Sequence, residues 1–202
     1  MKMGSNTMAT TAQASHSAAH SELAQVRQLM RQDRRRGLAA LRQLFETGAA
    51  PPAALRGRFA GQFEAFELGP GLSQLGEFVD RTWHPWQGKI FGGAEPIGYN
   101  RLRHNTFPLV RLLAPTYNVF GADTVATYRA FPFRTSLGPS RDNPALPVLK
   151  IDYNLPANPG WSVRRILDEL VQIDDGLFLG KAYVRWWWGR WQRWAFFSLH
   201  AT

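Results

Sequence analysis

In the last third of the chain apolar and polar positions alternate through four successive runs, LPVLKIDY (146–153), RRILDELVQI (164–173), LFLGKAYVRWWW (177–188) and RWQRWAFFSLHA (190–201). The turns between them are as short as Asp174-Asp175-Gly176 and Trp188-Gly189-Arg190. Runs rich in Val, Ile, Tyr, Phe and Trp joined by short glycine-bearing turns predict hairpins, and here two follow in series. Such a meander must hide its edges, and closure into a barrel does so. Upstream, LRGRFAGQFEAFEL (55–68) alternates as a half-buried strand with Gly57, Phe59, Gly61 and Phe63 on one face. Two glycines on an apolar strand face mark a bend or a close approach. Leu23, Val26, Met30, Leu38, Leu41, Leu44 and Phe45 recur at helical spacing, which predicts a helix over 21–47. Ser21 can cap its start, Gly48 and Pro51-Pro52 stop it, and Asp33 with Gly37 interrupts its stripe. A short helix is expected over Leu72 to Asp80, and strands over Trp86 to Phe91, Tyr99 to His104 and Thr124 to Arg134, the last closed by the turn-rich LGPSRDNPALP. The stretch from Trp83 to Asn118 is otherwise the least legible.

Residues 1–20 are Ser-, Thr-, Ala- and His-rich without periodicity and read as a disordered tail. Residues 21–202 read as one domain. The absence of cysteine excludes disulfides, thiolate catalysis and Cys-ligated metal sites. The N-terminus has no apolar signal core, and the expectation is a soluble cytoplasmic protein. The net charge of +9 comes from 24 basic side chains, 20 of them arginine. They gather between Arg27 and Arg42 and again in the acid-free stretch from Lys181 to the C-terminus. Solvated faces explain such runs most simply.

No phosphate-binding loop, dinucleotide fingerprint, zinc-protease helix or nucleophile elbow is present, so no cofactor is expected. His84, His104 and His200 are far apart without ligand spacing, although His200 near the end of the last strand could face a barrel lumen. Asp168 and Glu169 interrupt an apolar strand and point to opposite faces, so one of them should face inward. A buried carboxylate needs a cation, and Lys150, Arg164, Lys181 and Arg185 on neighbouring strands are the expected partners. Trp186, Trp187, Trp188, Trp191 and Trp194 crowd one hairpin with Arg185, Arg190 and Arg193. Cross-strand aromatic and cation–π ladders, a peripheral membrane contact through 185–194, and a stacking platform for single-stranded nucleic acid compete as readings. The ladder comes first and nucleic acid last, because Glu64, Glu67, Glu77 and Asp80 spoil a basic groove.

The blocks PGL (70–72), PWQGKIF (85–91), YRAFPFRTS (128–136), VLKIDYNLPANP (148–159), RRILDELVQIDDGLFLGKAYVRW (164–186) and GRWQRWAFFSL (189–199) resemble a family of uncharacterised bacterial proteins. That resemblance covers most of Leu38 to Leu199 and implies one intact domain without naming a chemistry. A weaker likeness links Gly57-Arg58-Phe59-Ala60-Gly61 to the Gly-x-Trp-x-Gly opening of calycin barrels: lipocalins, fatty-acid-binding proteins and haem-binding relatives. Phe59 stands here where tryptophan is expected.

The fold class these readings define is mainly β: an antiparallel, calycin-like barrel or strongly curved sheet with an N-terminal helix and a short helix after the first strand. The expected function is non-enzymatic binding of a hydrophobic, lipid-like or aromatic small molecule. Gly57 and Gly61 would make room, Phe59, Phe63, Phe131, Phe133, Tyr153 and Tyr183 would form walls, and Arg129 or Lys181 would meet an anionic head group. An enzyme using Glu169 or Asp168, a haem-binding barrel, and a filled structural barrel are the alternatives.

Overall fold

The computed structural model describes residues 20–67, 73, 85–92 and 97–202. Its strands are β1 (Gly57–Phe66), β2 (Trp86–Phe91), β3 (Ile97–Arg103), β4 (Gly121–Ala122), β5 (Thr127–Pro139), β6 (Pro147–Asp152), β7 (Ile166–Asp174), β8 (Leu177–Arg185) and β9 (Trp191–Ala201). Every pairing is antiparallel, and β9 returns to β1. With β3 also paired to β5, eight strands close a barrel in simple up-and-down order, while the two-residue β4 adds to β5 outside the ring. Closure leaves no long free edge. The expected hairpin turns are present, with Gly176 and Gly189 in the left-handed region at φ +67° and +87°, where only glycine is unstrained.

A helical run over 20–32 (α1) precedes α2 (Arg34–Glu46), and α3 (Phe107–Leu113) follows β3 through a short 3-10 turn. The single helix expected over 21–47 is thus a pair. Asp33 caps α2 by accepting from the Arg36 amide at 3.0 Å, a common use of Asp that ends one helix and starts the next. A β-carbon on Gly37 would lie 2.5 Å from the Met30 backbone, so glycine is what allows the helices to fold tightly on each other. Of the short helix expected over Leu72 to Asp80 only Ser73, which is helical, lies among the described residues. β5 continues through Leu137-Gly138-Pro139, beyond the expected end of its strand, because those residues pair with Pro147 to Leu149 of β6.

Strand alternation divides the apolar residues into two cores. One fills the barrel with Phe59, Phe91, Phe133, Leu149, Ile151, Leu170, Phe178, Phe197 and Leu199. The other lies between the barrel's outer wall and the helix pair, joining Leu23, Val26, Leu41, Leu44 and Phe45 to Val148, Val171, Leu177, Leu179 and Phe196. Ala49 pairs with Gln172 of β7 through two backbone hydrogen bonds of 2.7 and 2.9 Å, fixing the helix pair on that wall. A covered outer wall is why β7 and β8 are buried on both faces and why their charged residues did not announce which side was the lumen.

Candidate functional site

β2 carries the local irregularity that builds the site. Its register against β3 slips between Trp86 and Gly88, with Gly88 at φ +118°. An extra residue in one strand re-aims the side chains beyond it. Trp86 and Lys89, three apart, therefore both face the interior, together with Phe91. Across the barrel on β7, Asp168 faces inward beside Leu170. Lys89 and Asp168 are 2% and 3% exposed, and Lys89 Nζ donates to Asp168 Oδ2 at 2.8 Å.

Asn100 on β3 and Tyr153 at the end of β6 complete the cluster. Lys89 Nζ also donates to Asn100 Oδ1 at 3.1 Å and to Tyr153 Oη. Trp86 Nε1 donates to Asn100 Oδ1 at 3.0 Å. The Asn100 amide donates to Tyr153 Oη at 3.1 Å and to the Phe131 carbonyl at 3.3 Å, while Tyr153 Oη donates to Asp168 Oδ2 at 3.2 Å. The rings of Trp86, Phe133, Tyr153 and Phe197 surround the ammonium at 5.1–5.4 Å, a favourable setting for a cation over aromatic faces. Burial pushes the Lys89 ammonium below the ordinary lysine range, with Asp168 pulling the other way. Burial, and then the Asp168 charge, pushes the Tyr153 phenol well above its usual value.

Interior glycines place these rings. A β-carbon on Gly61 would sit 2.4 Å from the Trp86 ring and 2.7 Å from Gly88 Cα, and Gly98 and Gly180 are covered in the same way by Phe133 and Phe197. Phe131 is the bulged residue opposite β3 and adopts φ +51°, a strained region for a bulky side chain. It is held there by Tyr117 Oη, which accepts from the Phe131 amide at 2.5 Å. Burial pushes the Tyr117 phenol up to about 12.

The cluster is the floor of a cavity of about 190 Å³, walled by Phe63, Leu102, Phe131, Ile166, Trp194 and Phe197. An outer chamber of about 290 Å³ shares Val163, Ile166 and Trp194 with it and adds Val184 and Trp186. The way out thus runs between the β6–β7 loop and the β8–β9 hairpin.

Of the residues singled out in the sequence, Phe63, Phe131 and Tyr153 line the cavity, while Phe59 and Phe133 belong to the packed interior. The space at Gly61 is taken by the Trp86 ring, and Gly57 is exposed at the start of β1. Arg129 lies over the Tyr99 ring, 5.5 Å from its centroid. Glu169, Lys181 and Tyr183 are buried on the outer wall, Lys181 against Phe45 and Glu46 of α2 and all three against the 140–142 loop. Glu169 accepts from Ser140 Oγ at 2.7 Å and the Arg141 amide at 2.8 Å. Lys181 pairs with Glu46 at 2.9 Å and Asp142 at 3.5 Å, and Tyr183 Oη donates to Asp142 at 2.9 Å. Both adjacent carboxylates are therefore buried, on opposite faces. The inward one finds its cation on β2 across the lumen, not on a neighbouring strand as expected. His200 faces outward, 3.3 Å from Ser198 Oγ, with its ring 5.7 Å from that of His20 of α1 and tilted to it by 37°. His104 is exposed, and His84 lies outside the described residues. Trp186 and Trp188 stack on each other within the turn at 5.0 Å and Trp187 packs edge-on, so the cross-strand aromatic contacts of this hairpin come from Trp194, which lies 5.9 Å from Phe63 and 5.8 Å from Phe66 of β1 at the cavity wall.

Lys89 and Asn100 were missed in the sequence. Lys89 shares the apolar face of Phe91, and Gly88 beside it marks a bulge. That Asp168 would be its partner depends on barrel closure.

The fold and floor define a closed eight-stranded antiparallel barrel with an apolar chamber ending on a buried, internally paired polar cluster. No family model matches the chain, and no curated protein matches it. Among solved structures, a protein from Thermomonospora curvata aligns over 90% of this chain and 99% of its own at 14% identity, with a TM-score of 0.46. No helix among the described residues is long and apolar enough to cross a membrane.

Proposed function

We propose that the barrel binds one small, largely apolar molecule in this chamber. The observation that carries the reading is the cavity itself. Interiors pack to crystal-like density, yet here about 190 Å³ stays open under aromatic walls and joins an outer chamber of about 290 Å³. A dry apolar cavity of about 150 Å³ is enough to hold benzene. The calycin likeness supports the same reading, since such barrels hold one small ligand in their lumen. No described histidine lines the chamber, so the residues give no support to the haem alternative. A second reading shares the site: of the two carboxylates, Asp168 and not Glu169 is placed to take a proton from a bound molecule, as an enzyme on this scaffold would require.

Titration with N-phenyl-1-naphthylamine, a dye that brightens in apolar surroundings, tests the proposal. The expected result is one dye per chain at micromolar concentration. Ala182→Leu, which extends a side chain into the cavity beside Asp168, and Val163→Trp, which narrows the passage between the chambers, should each abolish binding without lowering the melting temperature. Dye binding unaffected by both would show that the chamber is not its site.

A further inference from the structure

The hydrogen-bonding capacity of the cavity floor can be counted atom by atom, and it deepens the binding proposal, on which it rests. Lys89 has three ammonium hydrogens, and they meet three acceptors: Asp168 Oδ2, Asn100 Oδ1 and Tyr153 Oη. The Trp86 indole N–H is spent on Asn100 Oδ1. Trp86 and Lys89 can only donate, which fixes the Asn100 oxygen toward them and its NH2 toward Tyr153 Oη and the Phe131 carbonyl. With Asn100 Oδ1 already accepting twice, the Tyr153 hydroxyl hydrogen goes to Asp168 Oδ2. Every donor on the floor is used. The indole N–H of Trp194 has no hydrogen-bond partner among the described residues, but it is sealed inside the wall.

One acceptor remains. Asp168 Oδ1 has no partner among the described residues, is not among the fully buried unpaired atoms, and belongs to a residue that lines the cavity. A carbonyl or carboxylate ligand would find no free donor there. A carboxylate would also add an uncompensated charge to a Lys89–Asp168 pair that is already neutral, in walls that cannot solvate it. An ammonium would carry the opposite excess. A neutral hydroxyl matches the one open position, and its hydrogen bond to a carboxylate is of the strong, charge-assisted kind.

We propose that the chamber selects a neutral, hydroxyl-bearing aromatic molecule of one or two rings, a phenol or aromatic alcohol, whose O–H donates to Asp168 Oδ1 while its rings lie against Phe63, Phe131, Trp194 and Phe197. Anionic lipids such as fatty acids are disfavoured by the same count.

Calorimetric titration of the full-length protein with three ligands of one skeleton tests this: 2-naphthol, 2-methylnaphthalene, in which an isosteric methyl replaces the hydroxyl, and 2-naphthoate. The expected order is 2-naphthol tightest, by roughly 10- to 100-fold over 2-methylnaphthalene as suits a hydrogen bond to a charged group, with 2-naphthoate weakest. Asp168→Asn should narrow the gap between the first two, and because the wild-type series stands alone, a poorly folding variant does not rescue the idea. Equal binding of naphthol and methylnaphthalene, or tightest binding of naphthoate, overturns the hydroxyl selectivity and leaves the chamber a binding site. Failure of all three to bind overturns the binding proposal and this inference with it.

Discussion

Asp168→Ala is the substitution whose consequence the structure defines most sharply. It removes the only carboxylate paired with Lys89 among the described residues, and Lys89 is 2% exposed with its ammonium ringed by four aromatic side chains. Breaking a buried pair from one side leaves a stranded charge and costs about 3–5 kcal/mol. In a domain of this length that lowers the melting temperature by roughly 6–20 °C. The cost should also depend on pH in a definite direction. Burial already lowers the Lys89 pKa in the native protein and Asp168 opposes that shift, so removing Asp168 lowers it further. The unfolded chain keeps its proton up to about pH 10.4. Between the lowered native value and that limit the unfolded state binds more protons, and the variant's stability rises with pH. Urea denaturation from pH 6 to pH 10 should show the gap to wild type fully open at the acid end and closing toward the alkaline end. The double variant Lys89→Met/Asp168→Leu, with no charge to strand, should fall within about 1–2 kcal/mol of wild type. A single-variant cost below about 1 kcal/mol, or one that stays constant with pH, would refute the reading of Lys89–Asp168 as a desolvated pair.

Gly61→Ala should cost about 1–3 kcal/mol in the same assay, because the added carbon meets the Trp86 ring and the β2 backbone; a stabilised variant would mean that the glycine serves strand curvature alone. Glu169→Gln should cost about 1–3 kcal/mol, since it weakens the acceptor for Ser140 and the Arg141 amide, yet leave dye binding in the chamber unchanged; altered affinity would place Glu169 in the site. Burial by itself would raise Glu67, Asp142 and Glu46, but Arg193 and Arg42 at Glu67, Tyr183, Lys181 and Arg193 at Asp142, and Asn143 and Lys181 at Glu46 overrule it and hold all three below the ordinary carboxylate range. Stabilisation of this kind is present above about pH 4 and disappears as pH falls through the depressed native values. Two of these carboxylates bridge α2 to the barrel wall, Glu67 through Arg42 and Arg193 and Glu46 through Lys181. Amide protection factors in α2, corrected for the slower intrinsic exchange at low pH, should therefore fall on acidification before those in β8 do; simultaneous loss would show that the bridges do not hold the helix pair.

The sequence by itself determined the C-terminal hairpins and the first strand, but not the break between the two N-terminal helices at Asp33. Period-two alternation with turn glycines at 176 and 189 set the hairpins of β7 to β9, and the alternating 55–68 run set β1, because neighbouring residues on a strand must face opposite ways. It also showed that Asp168 and Glu169 lie on opposite faces. What only the tertiary structure decided is which face is the lumen. β7 and β8 are apolar on both sides, one facing the barrel interior and the other facing Leu41, Leu44 and Phe45 of the helix pair, so local pattern could not separate inside from outside. Glu169, Lys181 and Tyr183 were placed at a ligand on that ambiguity. The Lys89–Asp168 pair spans 79 residues and two strands that are not neighbours, and it exists only because a bulge at Gly88 turns Lys89 inward and β9 closes back on β1. Buried charge is expensive unless it is met, and barrel closure is what brings the two ends of this pair within 2.8 Å.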